Sequence, residues 1–432
     1  MDEITQREEE GCDVSEAKQA LAQIRRRPRS RLMTIMKMLS KMSPDRGFPY
    51  EEPSDLSAIK EVRPEGPRKI PLKPHEDKIF DKILGGWLGR CAGCLLGKPV
   101  EGLSKKQIEE WLETADAYPL RNYFPPLPNQ AKDAPDWLKK RSSWLEVLRG
   151  HITHMPRDDD IDYPIINLHL LQTEGFTFTS SDVGNLWLNN LPYLKVYTAE
   201  RVAYRNLVNG LLPPETATYM NPYREWIGAQ IRADIFGYVA PGMPEVAAEL
   251  AYKDARLSHV KNGIYGEMFV SAMISAAFAV NDVEEVINIG LSEIPEKSRL
   301  AEAVRNVVSW SKEYEDWRDA WNNVNEEYGH YHHVHTINNA ALVVLGLLYG
   351  KGDYEKTITI SVMGGWDTDC NGATAGSILG VMLGAEKLPE KWVAPLNDKV
   401  ESYVVGYNNS KISGLAEKTF KLAKHLLKRE SA

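Results

Sequence analysis

The residues best suited to chemistry are two aspartate clusters. Asp158-Asp159-Asp160-Ile161-Asp162 opens one apolar stretch with helical spacing, and Gly364-Gly365-Trp366-Asp367-Thr368-Asp369-Cys370-Asn371 opens another far downstream. Carboxylates that converge in a fold repel one another and lose hydration, so such a pairing persists only if some protonate or a cation neutralises them. Hard divalent ions such as magnesium and manganese take oxygen donors, whereas zinc favours the His and Cys side chains that neither cluster supplies in number. In Asp367-Thr368-Asp369 the carboxylates at i and i+2 can both turn toward one ion where the backbone is just entering a helix. The competing reading is capping, because an aspartate makes a good N-cap and acidic first turns suit the helix dipole. For either cluster alone the two readings carry even weight. Capping needs one acid, however, and these sites offer several.

The elements that must position these acids read as helices. Glycines fall at Gly85, Gly89, Gly93 and Gly97, and again at Gly372, Gly376, Gly380 and Gly384. Four-residue spacing lines each set along one helical face, and each glycine costs helix stability that close packing must offset. The two helices are therefore expected to be core neighbours. Pro99-Val100-Glu101-Gly102 follows the first and Asp367-Thr368-Asp369 precedes the second, so close backbones would bring Glu101 beside the aspartates. Helical periodicity also runs through Ile161 to Leu171, with Pro164 in its opening turn, and through Ile264 to Val280, Thr336 to Leu348 and Leu415 to Leu427, while alternating strands are absent. Residues 79–432 are expected to form an all-α body. Residues 1–78 read as a basic, Pro-rich appendage with arginines at 25, 26, 27, 29 and 31. Its Leu32, Ile35, Met36 and Leu39 form a helical stripe fit to dock on the body or a partner.

The chain has 432 residues, a hydrophobic fraction of 43% and a formal charge of −8, ample for a core and unsuited to general affinity for nucleic acid or anionic membrane. The most glycine-rich apolar run, Ile83 to Leu96, is too short to span a bilayer and carries Arg90. Four cysteines and an acidic Met1-Asp2-Glu3 start predict a reduced, cytoplasmic chain, and Cys91-Ala92-Gly93-Cys94 reads as two buried thiols. His330-Tyr331-His332-His333-Val334-His335 matches no zinc pattern and reads as a pocket-edge loop, with His335 the best candidate for substrate contact. Arg201, Arg205, Arg224 and Arg232 could pair with phosphate, though buried packing and surface ion pairs account for most of them.

Gly86 to Gly102, the Asp158-Asp159-Asp160 cluster and Gly364 to Gly380 resemble, in order, the signatures of the ADP-ribosylglycohydrolase family, over roughly residues 80 to 390. The resemblance implies an all-α bundle with two magnesium or manganese ions and hydrolysis at the anomeric carbon of a ribose. It assigns Asp159, Asp160, Asp367 and Asp369 to the ions, with Asp158 where a threonine is usual and counted with them here. Glu101 matches the glutamate lying against metals and scissile bond, and it joins Asp160 as a candidate catalytic residue. Ser258-His259 resembles the pair lining the ribosyl pocket; Glu101, His259, His335 and Gly365 are the expected substrate contacts. Gly228-Ala229-Gln230-Ile231-Arg232 looks like a modified glycine-rich segment.

The departures mark a divergent branch. Asp158 adds a charge, Cys370 stands in place of a threonine or serine, and Cys94 in place of an aspartate. Two ions about 3.5–4 Å apart would hold ribose hydroxyls and stabilise an oxocarbenium-like transition state, with an ionised Glu101 guiding water. The expected partner is a ribosyl-containing small molecule or an ADP-ribosylated macromolecule, with no membrane and no nucleic acid; oligomeric state is left open. The alternative is a catalytically silent member that binds a ribosyl ligand or serves structurally.

Overall fold

A computed structural model describes residues 1–24, 29–72, 76–128, 131 and 133–430. Among them the architecture is α-helical, and the β structure is a two-residue antiparallel pair, Lys399–Val400 with Ser410–Lys411. The helices used below are α1 (Asp2–Glu9), α2 (Glu76–Gly97), α3 (Asp159–Thr173), α4 (Asn262–Ala277), α5 (Thr336–Gly350) and α6 (Thr368–Leu383). Every residue of α4 is buried, and α5 is nearly so, because both are apolar around their whole circumference and must sit inside. Flanking helices such as Arg299–Glu313 and Ile412–Arg429 are amphipathic and close the core from outside.

The expected glycine contact is present and forms the most extensive helix pair of the fold. A Cβ built on Gly89 would stand 2.1 Å from the carbonyl oxygen of Gly376, and one on Gly93 1.9 Å from that of Gly372. The reverse distances, from Gly376 to Gly89 O and from Gly372 to Gly93 O, are both 2.3 Å. Only glycine lets two helix backbones approach so closely. The register continues to Gly85 with Gly380, while Gly97 faces Thr368. Gly384 lies beyond the end of α6, so it is not part of the stripe.

Pro164 lies inside α3 rather than in its opening turn. Proline has no N–H to offer the carbonyl four residues back, which is that of Asp160. Arg90 of α2 supplies the missing donor, its Nε lying 2.7 Å from the Asp160 carbonyl oxygen. A proline that would break an exposed helix is thereby tolerated in the core.

The N-terminal segment is anchored rather than loosely appended. Arg224 ion-pairs with Glu3 and Glu10 at 2.9 Å each, Gln6 donates to Glu225 at 2.6 Å, and Arg299 donates to the Glu9 carbonyl at 2.9 Å. The Leu32–Leu39 stripe packs largely within the segment itself, where Ile35 and Leu39 join Ile4, Val14 and Ala17 in a small separate core. Arg25, Arg26 and Arg27 of the basic run lie outside the described residues. Among the described residues no helix is long and apolar enough to cross a membrane.

Candidate functional site

The site lies where α2 ends and α3 and α6 begin. Close packing of α2 on α6 fixes the turn after α2: Thr368 Oγ1 donates to the Gly97 carbonyl at 2.8 Å, Gly102 N to Trp366 O at 2.8 Å, and Trp366 N to Leu103 O at 3.2 Å. Gly365 makes this junction possible. Its φ is +83°, and a Cβ there would meet Leu103 O and Lys105 N at 2.9 Å. It is buried and shapes the turn that carries Glu101.

Two tight donor groups result, Cys94 with Asp158 and Asp160, and Asp367 with Asp369 and Cys370; within each group the ligand atoms lie within 4.8 Å of one another. The groups touch, since the Cys370 thiol donates to Asp160 Oδ2 at 3.1 Å. Asp158 does cap α3, accepting from Asp160 N at 3.0 Å, whereas the Asp367 side chain makes no cap hydrogen bond. Capping therefore explains one member of the first cluster and none of the second. Asp159 stands apart from both groups, part-exposed, with Arg157 at 4.0 Å. Asp162 is used structurally by Arg157, Ser402 and the Tyr403 N–H.

Electrostatics separates the acids. Burial, then Glu101 and neighbouring aspartates, pushes Asp367 and Asp369 well above the usual carboxylate range. Burial likewise raises Asp160 despite the Arg90 guanidinium 3.1 Å away. For Asp158 burial works upward as the largest single cause, but Lys98, the Asp160 N–H and Arg157 together outweigh it and the net direction is down. Glu101, an exposed residue in the turn after α2, is raised by desolvation of its carboxyl and by Asp158 against Lys98 and Arg141, the reverse of the lowering that cations alone would give. Its carbonyl accepts from Arg141 Nη2 at 2.8 Å.

Asn339 of α5 ties the second cluster to the histidine loop. Its Oδ1 accepts from Asp367 N at 3.2 Å and Asn371 Nδ2 at 2.8 Å, and its Nδ2 donates to the carbonyls of His333 and His335 at 2.8 Å. Asn339, Lys98 and Arg90 are the residues that sequence reasoning missed. Arg90 carried a usable signal, because an arginine inside a glycine-rich apolar helix must find buried acceptors.

Neither histidine expected at the substrate belongs to the two donor groups. His259 is buried beside Arg232 and Ser258, with Nδ1 2.8 Å from Ser258 Oγ, while its Nε2 lacks a hydrogen-bond partner and lies 3.9 Å from Glu200. His335 is also fully buried: Nδ1 accepts from Ile337 N at 3.2 Å to cap α5, and Nε2 faces Glu9 of α1 at 3.7 Å. Burial keeps it neutral, with its pKa pushed down to about 3. The loop instead presents His332, stacked on Trp226 at 4.1 Å, to a cavity of about 570 Å³ shared with Gln6, Glu9 and Arg201. Arg224 and Arg232 are consumed by ion pairs, which are buried rather than at the surface as the plain reading of that arginine-rich stretch expects.

Glu9 gives a pH prediction. Burial and Glu225 raise its carboxyl to about 7, with Glu10 and Glu8 adding and Arg299 opposing. A raised folded value means that the stabilisation is complete below the unfolded carboxyl value near 4.5 and is lost as pH rises through about 7. Limited proteolysis of the N-terminal segment should therefore accelerate as pH rises from about 4.5 to about 7 in the wild type and level off above, and change much less in Glu9→Gln. Equal pH dependence in both would refute the assignment.

An all-α bundle whose buried acids converge from the starts of two helices defines a class of protein with an acidic centre that could hold a metal ion. The family model described as ADP-ribosylglycohydrolase matches residues 75–429, and the chain belongs to that family of glycosidic-bond hydrolases. A solved structure described as "ADP-ribosylglycohydrolase-related protein complex" matches with a TM-score of 0.51 and 19% identity, covering 80% of this chain and 99% of that one, which shows a shared fold. Comparison with curated proteins finds no match.

Proposed function

We propose that the chain is a magnesium- or manganese-dependent hydrolase that cleaves the bond between the anomeric carbon of a ribose and its leaving group, in an ADP-ribosyl or smaller ribosyl compound. The observation that carries this reading is the meeting of the two acidic donor groups, joined where the Cys370 thiol donates to Asp160 Oδ2 at 3.1 Å. The residues fit a divalent ion: Asp367, Asp369 and Cys370 form a tight donor group, and Asp369 Oδ1 is buried with no hydrogen-bond partner. Asp367 and Asp369 would hold it, with Cys370 the third donor of the group. Bound there, it would supply positive charge to ribose hydroxyls and to a water.

Glu101 does the proton work in this reading. It is a carboxylate on an exposed residue, so water can reach it. Asp160 is held at Oδ1 by Arg90 and at Oδ2 by Cys370, a posture for holding rather than for moving a proton. The silent-member reading draws on the same departures, since Lys98 and Arg90 already neutralise first-cluster acids.

A mass-spectrometric hydrolysis screen decides between them, using ADP-ribosylated proteins, ADP-ribose conjugates and nucleosides with magnesium, manganese or chelator. Metal-dependent product is expected, and Glu101→Gln should reduce kcat by roughly 10²- to 10⁴-fold with KM little changed. Ligand binding without turnover across the panel would favour the silent member.

A further inference from the structure

We infer that this chain binds one divalent ion rather than the two the resemblance implies, with the Lys98 ammonium occupying the charge position of the second. The inference rests on the metal-site reading above and refines it.

The two donor groups differ in what already satisfies them. In the first, all four carboxylate oxygens carry a donor. Asp158 Oδ2 accepts from Lys98 Nζ and Oδ1 from Asp160 N at 3.0 Å; Asp160 Oδ1 accepts from Arg90 Nη2 at 3.1 Å and Oδ2 from Cys370 at 3.1 Å. The third member, Cys94, is a buried thiol. In the second, Asp369 Oδ1 has no partner although the residue is 5% exposed, so an unmatched acceptor points into the cluster. An ion gains most where a buried acceptor would otherwise be unpaired, and least where it must displace a charge already paired.

Lys98 is placed to compete for the first group. Its stem leaves α2 at the 3₁₀ turn Lys98–Val100, and its ammonium donates to Asp158 of the first group. The pairing is also complementary in sequence terms. A carboxylate stands at Asp158 where the resemblance puts a neutral hydroxyl, and the added negative charge meets the Lys98 ammonium. Arg90 reinforces the arrangement and cannot swing aside: it is fully buried and donates to Asp160 O, Asp160 Oδ1, Asp234 Oδ2 and Ile231 O.

Metal content tests this independently of turnover. Metal-free full-length protein is loaded with excess Mn²⁺, desalted and counted by inductively coupled plasma mass spectrometry, with calorimetric titration as a second measure. The wild type is expected to hold one Mn²⁺ per chain, Lys98→Arg one, and Lys98→Met two, the second with an electron paramagnetic resonance signal broadened by its neighbour. Two ions in the wild type overturn the inference and leave the hydrolase reading intact, whereas none overturns both. One ion in Lys98→Met also overturns it, because the ammonium would then not be what excludes the second. Should Lys98→Met fail to fold, the wild-type and Lys98→Arg counts still decide, since two ions in either is incompatible with the inference.

Discussion

Asp367→Asn is expected to lower kcat/KM by about 10³-fold or more, since an ion's charge stabilisation is worth several kcal/mol and each 1.36 kcal/mol is tenfold in rate. Asp367 stands at the start of α6 with no cap hydrogen bond, so its loss removes a ligand without unravelling a helix end. The same substitution should act oppositely on the stability of the metal-free protein. Burial and Glu101 hold the Asp367 carboxyl well above its ordinary value, so the charged form is disfavoured in the folded state. Its contribution is complete below the unfolded value and is lost as pH rises through the folded one, which leaves the metal-free wild type penalised at neutral pH. Metal-free Asp367→Asn should therefore unfold at higher denaturant than metal-free wild type, and saturating Mn²⁺ should reverse the order. Full metal-dependent turnover in the variant would remove Asp367 from the site.

Gly89→Ala carries the largest expected effect on stability. Its Cβ would lie 2.1 Å from the Gly376 carbonyl oxygen, and because the obstacle is backbone, no side-chain rotation relieves the clash. The helix-propensity gain of about 1 kcal/mol is outweighed by overpacking, giving a net loss of about 2 kcal/mol or more. Tyr354, whose hydroxyl donates to Gly89 O at 2.9 Å, loses its acceptor geometry if the helices part. Gly47→Ala, with nothing within 4 Å of the added Cβ, serves as the control and should be near neutral. Denaturant midpoints measure the difference. Any Gly89→Ala protein that folds should also lose turnover, because α2 and α6 carry Glu101 and Asp367 toward each other. Equal midpoints for the two variants would mean that the helices are not so tightly apposed.

The sequence alone determined the features that repeat at fixed spacing or depend on residue type. Glycines every fourth residue dictate a helix face that admits another backbone, so the α2–α6 contact and the arrival of Glu101 beside Asp367 and Asp369 were legible before any coordinates. Apolar periodicity likewise announced α3, α4 and α5, and three ordered motifs announced the family. What the tertiary structure decided is which charges meet, because partners that lie far apart in the chain leave no local pattern. Lys98 reaches Asp158 across 60 residues, and Arg90 reaches Asp160 across 70 and Asp234 across 144. Burial was equally nonlocal. His335 reads as a loop histidine open to substrate, but α1, over three hundred positions upstream in the chain, lays Glu9 against its ring, and desolvation rather than residue type sets its protonation.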